Sequence, residues 1–358
     1  MNDGTSLLLE ALKKPRSLRD LESARWDELL CRARNTRLLA PIGLSLQGLG
    51  LLNDLPDRVA PQLEAECAIA RENERMLRWE VNRIQRALRA IEVPVVLLKG
   101  AAYTFADLPA AAGRVSSDVD IMVPKAALDE VEPALLRAGW EAVKLDPYDQ
   151  RYYRTWMHEL PPLCHRDRHT LVDVHHTILP ETGRLHPDAR DLAAAARPIG
   201  DGLLVLAPID MVLHSAAHLF QDGDLDGGLR DLVDLDSLLT HFGQDESFWR
   251  ELVPRAQRLD LLRPLYYALR FCDKLFGCPI PADVLRASEV GAPPSPVRRL
   301  MDALTERAIV PDGWETPRRT TRLARFVLYV RSHWLRMPPL LLARHLTRKA
   351  LSRGFSSR

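Results

Sequence analysis

One stretch constrains this chain more than any other. In "SDVDIMV", residues 117 to 123, Asp118 and Asp120 alternate with Val119, Ile121 and Val123. Such alternation is the pattern of a strand, whose successive side chains point to opposite faces. It predicts an apolar face of Val119, Ile121 and Val123 against a core. It leaves Asp118 and Asp120 side by side on the other face. Two carboxylates held together repel, and burying them is costly unless a cation lies between them. A fold built around this strand has to carry a charge-compensating centre on one face of a sheet.

The flanking pattern places that strand in a mixed architecture. Apolar residues at steps of three and four (Met76, Leu77, Val81, Ile84, Leu88 and Ile91) predict a long helix over roughly 61 to 91, stopped by Pro94. "VPVVLLKG" then reads as a buried strand closed by glycine. "PKAALDEVEPALLRAG" reads as a helix with proline in its first turn and Gly139 at its end. Strand-like pieces follow near 140–145, 151–165, 169–178 and 202–208, and from 208 to about 350 the chain reads as helices. The loop near 287–297, "ASEVGAPPSPV", is the best linker candidate. The expected class is α+β, with a helical N-terminal region over 1–91, an α/β core over 92–207, a helical C-terminal domain over 208–315 and a basic amphipathic tail over 316–358.

Composition narrows the classes. Five cysteines, with no CxxC pair, argue against a disulfide framework and fit a reducing cytoplasm. The N-terminus has too short an apolar stretch for a signal peptide, and no run approaches a membrane span. The net charge is +1, yet no acidic residue follows Glu315 and eleven Lys or Arg residues do, leaving the first 315 residues at −10. That asymmetry points to an anionic partner or an intramolecular dock. The tail also carries Phe326, Leu328, Trp334 and a run of leucines. Three readings stay open for it: a helix packed on the acidic body, an anionic membrane surface that would place the protein at the inner membrane face, or nucleic acid.

The chemistry-bearing residues cluster in the centre. "HTLVDVHHTI" alternates as well, so Asp173 and His175 share a strand face. Three carboxylates on neighbouring strands, Asp118, Asp120 and Asp173, make a set of hard oxygen ligands suited to Mg²⁺ or Mn²⁺. Two such ions about 3.5–4 Å apart can clamp a phosphoryl group during in-line displacement. Lys99 and Gly100 close the preceding strand, where a point charge and a close backbone approach suit phosphate. Arg114 offers a bidentate fork, and Ser116 and Ser117 offer hydroxyls. Each motif alone is ordinary; the combination is much less so. His175 could orient Asp173, touch a nucleotide, shuttle a proton or bond the strand edge.

With those residues in place, the chain resembles the polymerase-β-type nucleotidyltransferases. "VVLLKGAAY", "GRVSSDVDIMV" and "LVDVHHTI" are most similar to a bacterial family described as uncharacterised nucleotidyltransferases, over about residues 95–178. The K-G and R-x-S-x-D-x-D elements also look like the enzymes of toxin–antitoxin and abortive-infection systems. The resemblance implies a nucleotidyltransferase-type mixed sheet flanked by helices. It implies Asp118, Asp120 and Asp173 as metal ligands and catalytic carboxylates, with Lys99, Gly100, Arg114 and Ser116 or Ser117 on the triphosphate. The implied reaction moves NMP from an NTP, such as ATP, to an acceptor hydroxyl on a small molecule, protein or tRNA. One departure stands out. The superfamily commonly has Gly-Ser shortly before D-x-D, whereas here Gly100 precedes Ala101 and lies 18 positions before Asp118. A catalytically silent nucleotide-binding regulator and a toxin-like enzyme acting on tRNA are therefore the alternatives.

Weaker signals remain. His214 and His218 stand i, i+4 on a helix without the glutamate of a zinc motif, and could face the cleft. Arg230 with Asp234 reads as a solvated helical pair by default, while the resembling family's similar Arg–Asp helix implies a contribution to substrate binding as the alternative.

Overall fold

The computed structural model describes residues 3–143, 147–221, 225, 227–310, 317–338 and 342. Among the described residues, seven strands form one sheet: β1 (Val95–Leu97), β2 (Asp118–Met122), β3 (Trp140–Ala142), β4 (Leu163–His165), β5 (Leu171–His175), β6 (Arg197–Gly200) and β7 (Leu203–Val205). Their order is β3-β4-β5-β2-β1-β7-β6. The sheet is mixed. β2 runs parallel to β5 and antiparallel to β1, and β1 runs parallel to β7. With its helical flanks, this is the α+β layout expected from the sequence.

The position of β2 explains its composition. It lies in the middle of the sheet, so its backbone is paired on both sides. Val119 and Ile121 are buried on one face, as their alternation requires. The β2–β5 register sets Asp120 directly opposite Asp173 and Met122 opposite His175. Residues in register share a face, so the parallel pairing alone brings the two D-x-D/H motifs together.

A helix of 29 residues, Ala60–Leu88, packs along the core through Leu63, Cys67, Leu77, Val81, Ile84 and Leu88. It ends at Leu88 rather than near 91, and Met76 is exposed. Its one buried charge, Glu80, takes both Nε and Nη2 of Arg168 at 2.9 and 2.8 Å, tying the helix to the β4–β5 turn. Arg168 also lies over the rings of Trp79 and Trp140.

Two local expectations change. Residues 151–165 hold a helix end and one short strand, not a long strand. Pro147–Trp156 is helical despite its aromatic content. Tyr152 and Trp156 meet at helical spacing, and Arg154 grips Glu132 with two hydrogen bonds of 2.8 and 2.6 Å. Tertiary contacts here outweigh strand propensity. The 287–297 stretch is a buttressed turn rather than a linker. Arg263 donates to the carbonyls of Gly291 and Ala292, and a Cβ on Gly291 would strike the backbone of Leu262.

The C-terminal half is helical, as expected. Pro208–Gln221 is buried almost all round and is surrounded by Gly228–Phe242, Glu246–Arg258 and Leu262–Phe276. Its apolar composition fits that central place. Arg319–Arg336 packs on Ser295–Ile309 and on Pro208–Gln221. Arg331 donates to Phe220 O at 2.8 Å and lies over Tyr267. This part of the basic tail is therefore docked on the body, while Leu323, Phe326, Val330 and Trp334 face outward. Most of residues 339–358 lies outside the described residues. Among the described residues, no helix is long and apolar enough to cross a membrane.

Candidate active site

The three aspartates of the sequence converge. Asp118, Asp120 and Asp173 each present a carboxylate oxygen, and the three oxygens lie within 4.8 Å of one another. β2 supplies two of them and β5 the third. Asp120 is 4% exposed, and its Oδ1 accepts from Lys99 Nζ and from His175 Nε2, both at 2.9 Å. Its other oxygen stays available for a cation.

The electrostatics separate the three. Burial opposes ionisation of Asp120, but the Lys99 charge and the His175 hydrogen bond hold its carboxyl well below the usual range. Burial, with the charge of Asp120, raises the pKa of Asp118, whose Oδ1 accepts from Ser117 Oγ at 3.4 Å. Asp173 is pushed up to about 7 by burial first, then by the charges of Asp120 and Glu159. Its Oδ1 is buried without a hydrogen-bond partner. An orphaned carboxylate oxygen beside two further carboxylates is a donor set that fits a hard divalent cation. Burial also opposes the charge on His175, yet the Asp120 hydrogen bond and the charges of Asp120 and Glu159 raise its pKa above the usual value.

Lys99 takes its place through an unusual backbone. It follows β1 at the start of the Lys99–Phe105 helix with φ of 44°, a left-handed conformation rare outside glycine. Strain of this kind persists only where the surroundings enforce it; here the side chain is held on Asp120. Gly100 is glycine for a different reason. A Cβ there would overlap Ser116 Oγ and lie 2.9 Å from Arg114 Nε. The 18-residue gap between Gly100 and Asp118 is thus closed in space, and a serine hydroxyl sits against the Lys-Gly pair after all. Asn73, on the long helix, fixes that segment: it donates to Ser116 O at 2.9 Å and accepts from Ser116 N at 2.8 Å.

Arg114 is held by Asp234, which also pairs with Arg230 at 3.1 Å. The solvated reading of Arg230 and Asp234 is therefore wrong. Both are buried, and they dock the Gly228–Phe242 helix against the segment before β2. Burial, and then the charge of Arg114, pushes the Arg230 guanidinium down to about 9. Arg114, Arg230, Arg37 and Asp231 line a polar cavity of about 380 Å³.

Sequence reasoning missed two participants, Glu159 and His158, and read a third, Asp234, as part of a solvated pair. Glu159 pairs by an isolated bridge with His175, and its Oε2 lies 3.4 Å from His175 Nδ1. His158 stacks 5.2 Å from His175. Asp234 comes from the helical half. Among these, only "MHELPP" carried a signal, a His-Glu pair before two prolines. His214 and His218 do reach this neighbourhood. Burial, then Lys99 and His175, pushes His214 down to about 3, and Lys99, then burial, holds His218 well below its usual value. Among the described residues they join no metal-ligating group.

A mixed sheet with three converging carboxylates, a lysine on the central one and a serine beside a Lys-Gly turn defines the class as nucleotidyltransferase. The model of the uncharacterised nucleotidyltransferase family matches residues 22–277, and the chain belongs to that family. No curated protein matches the chain.

Proposed function

We propose that the protein transfers NMP from an NTP to an acceptor hydroxyl, with divalent ions held by Asp118, Asp120 and Asp173. The observation that carries this reading is the convergence of three carboxylate oxygens within 4.8 Å, with Lys99 on Asp120. Mg²⁺ or Mn²⁺ in such a site neutralises the triphosphate and polarises the α-phosphoryl group. The acceptor oxygen forms a bond to the α-phosphorus, the bond to the β-phosphoryl oxygen breaks, and pyrophosphate leaves. Asp173 takes the hydroxyl proton as general base. Lys99, Arg114, Ser116, Ser117 and the Gly100 backbone border the place for the triphosphate. His175 orients Asp120 rather than Asp173. The hydroxyl of Ser116 beside Gly100 favours an active enzyme over a silent binding protein. The test is transfer of label from α-labelled NTPs to components of a cell extract. Asp118→Asn should lower it by at least about a hundredfold, the range lost with one charge-stabilising group. Equal transfer by wild type and variant would refute the assignment.

A second reading concerns the Arg319–Arg336 helix. Its outward Leu323, Phe326, Val330 and Trp334 form an apolar stripe among arginines, which favours an anionic membrane surface.

A further inference from the structure

Beside the aspartate centre lies a group of different chemistry. His158, Glu159 and His175 each offer one ligand atom, and these atoms lie within 4.8 Å of one another. His158 and His175 are 7% and 2% exposed. His175 Nδ1, the ring nitrogen that faces Glu159, is shut from water with no hydrogen-bond partner. Buried polar nitrogens without partners are uncommon and call for an explanation. Glu159 Oε2 stands 3.4 Å from His175 Nδ1 and 3.9 Å from His158 Nε2. Ligands at about 2.0–2.1 Å from a tetrahedral ion stand about 3.4 Å apart, so the spacing suits one ion.

We propose that His158, Glu159 and His175 form a second cation site, selective for a transition metal of the Zn²⁺ class and separate from the three aspartates. Two imidazoles and a carboxylate select such ions, whereas an all-oxygen set selects Mg²⁺ or Mn²⁺. The proposal does not depend on the transfer reaction. His175 joins the two sites. Its Nε2 lies 2.9 Å from Asp120 Oδ1, which turns Nδ1 toward Glu159. A carboxylate behind a ligating histidine is the usual orienting arrangement. An ion here fixes the His175 ring and through it the Asp120 carboxylate. The site is a positioning device for the aspartate centre.

The experiment uses the full chain, stripped with chelator and held in millimolar Mg²⁺ so that the aspartates are occupied. Co²⁺ is added and the visible d–d band is followed, with Zn²⁺ as competitor. The expected result is one equivalent of Co²⁺ with the band intensity of tetrahedral coordination, displaced by Zn²⁺ and not by Mg²⁺. Asp118→Asn and Asp173→Asn keep the band. His158→Gln and Glu159→Gln weaken Co²⁺ binding at least tenfold, while circular dichroism of the metal-free variants follows that of wild type. If one variant fails to fold, the other decides. No band, a band that Mg²⁺ removes, or one that survives both substitutions overturns the proposal. Loss of the band in Asp118→Asn also overturns it, because the ion then sits on the aspartates.

Discussion

Asp173→Asn should make the metal-free protein more stable at pH 8 and leave it unchanged at pH 3. The reasoning follows the proton. In the folded chain the Asp173 carboxyl titrates near 7, against 3.8 for an ordinary aspartate. Below 3.8 the group is protonated in both states and contributes its full share. As pH rises towards 7 the unfolded chain ionises first, and the contribution is lost. Above 7 the folded chain carries a buried carboxylate beside those of Asp120 and Glu159. A shift of about 3 pKa units corresponds to about 4 kcal/mol at most, and partial solvent access reduces this to about 2–4 kcal/mol. Unfolding entropy of about 2.1 cal/mol/K per residue makes 1 kcal/mol worth about 1.3 °C in a chain of this length. Asparagine removes the charge at nearly the same volume. In chelator at pH 8, scanning calorimetry should show a Tm about 3–5 °C above wild type. At pH 3, where Asp173 is protonated in both the folded and the unfolded chain, the two should coincide, and at pH 5 the gain should be about a third of that at pH 8. Saturating Mg²⁺ should reverse the order at pH 8, because only the carboxylate gains from the ion. A variant that melts below wild type at pH 8 in chelator, or gains equally at both pH values, would refute the account.

Other outcomes follow from the same geometry. Arg114→Ala leaves Asp234 paired with Arg230, so its cost should stay below the about 3–5 kcal/mol of an unpaired buried charge, whereas Asp234→Asn strips both guanidiniums of their partner and should lower the urea midpoint further. Phe326→Glu puts a charge in the outward stripe of the Arg319–Arg336 helix. Co-sedimentation with vesicles containing phosphatidylserine should fall several-fold, and no binding by wild type would dismiss the membrane reading.

What was legible in the sequence was periodic or local. The Ala60–Leu88 helix, β2 and β5 each announce themselves by spacing, and the alternation around Asp118, Asp120 and Asp173 put all three on sheet faces. Their meeting depends on parallel β2–β5 pairing, which no local pattern states; the family resemblance supplied it. Residues 147–156 misled because aromatic side chains favour strands on a surface, while the contact to Glu132 decides otherwise. Arg230 and Asp234 looked solvated because an i, i+4 ion pair has the same spacing buried or exposed. Glu159 escaped because it lies outside any named strand, and its closeness to His175 comes from one isolated bridge.

The register between β2 and β5 has a consequence for how such a chain can change. Adding or deleting one residue inside either strand would turn its carboxylates through the sheet, onto the side where Val119 and Val172 are buried. No nearby acid could take their place there. Between Met122 and Leu171 the restriction is relaxed outside β3, β4, His158, Glu159 and Arg168, where the chain only has to return β5 to the same rung. Length variation among relatives should therefore collect in that connection, around the Pro147–Trp156 helix, while the two strands keep their length to the residue.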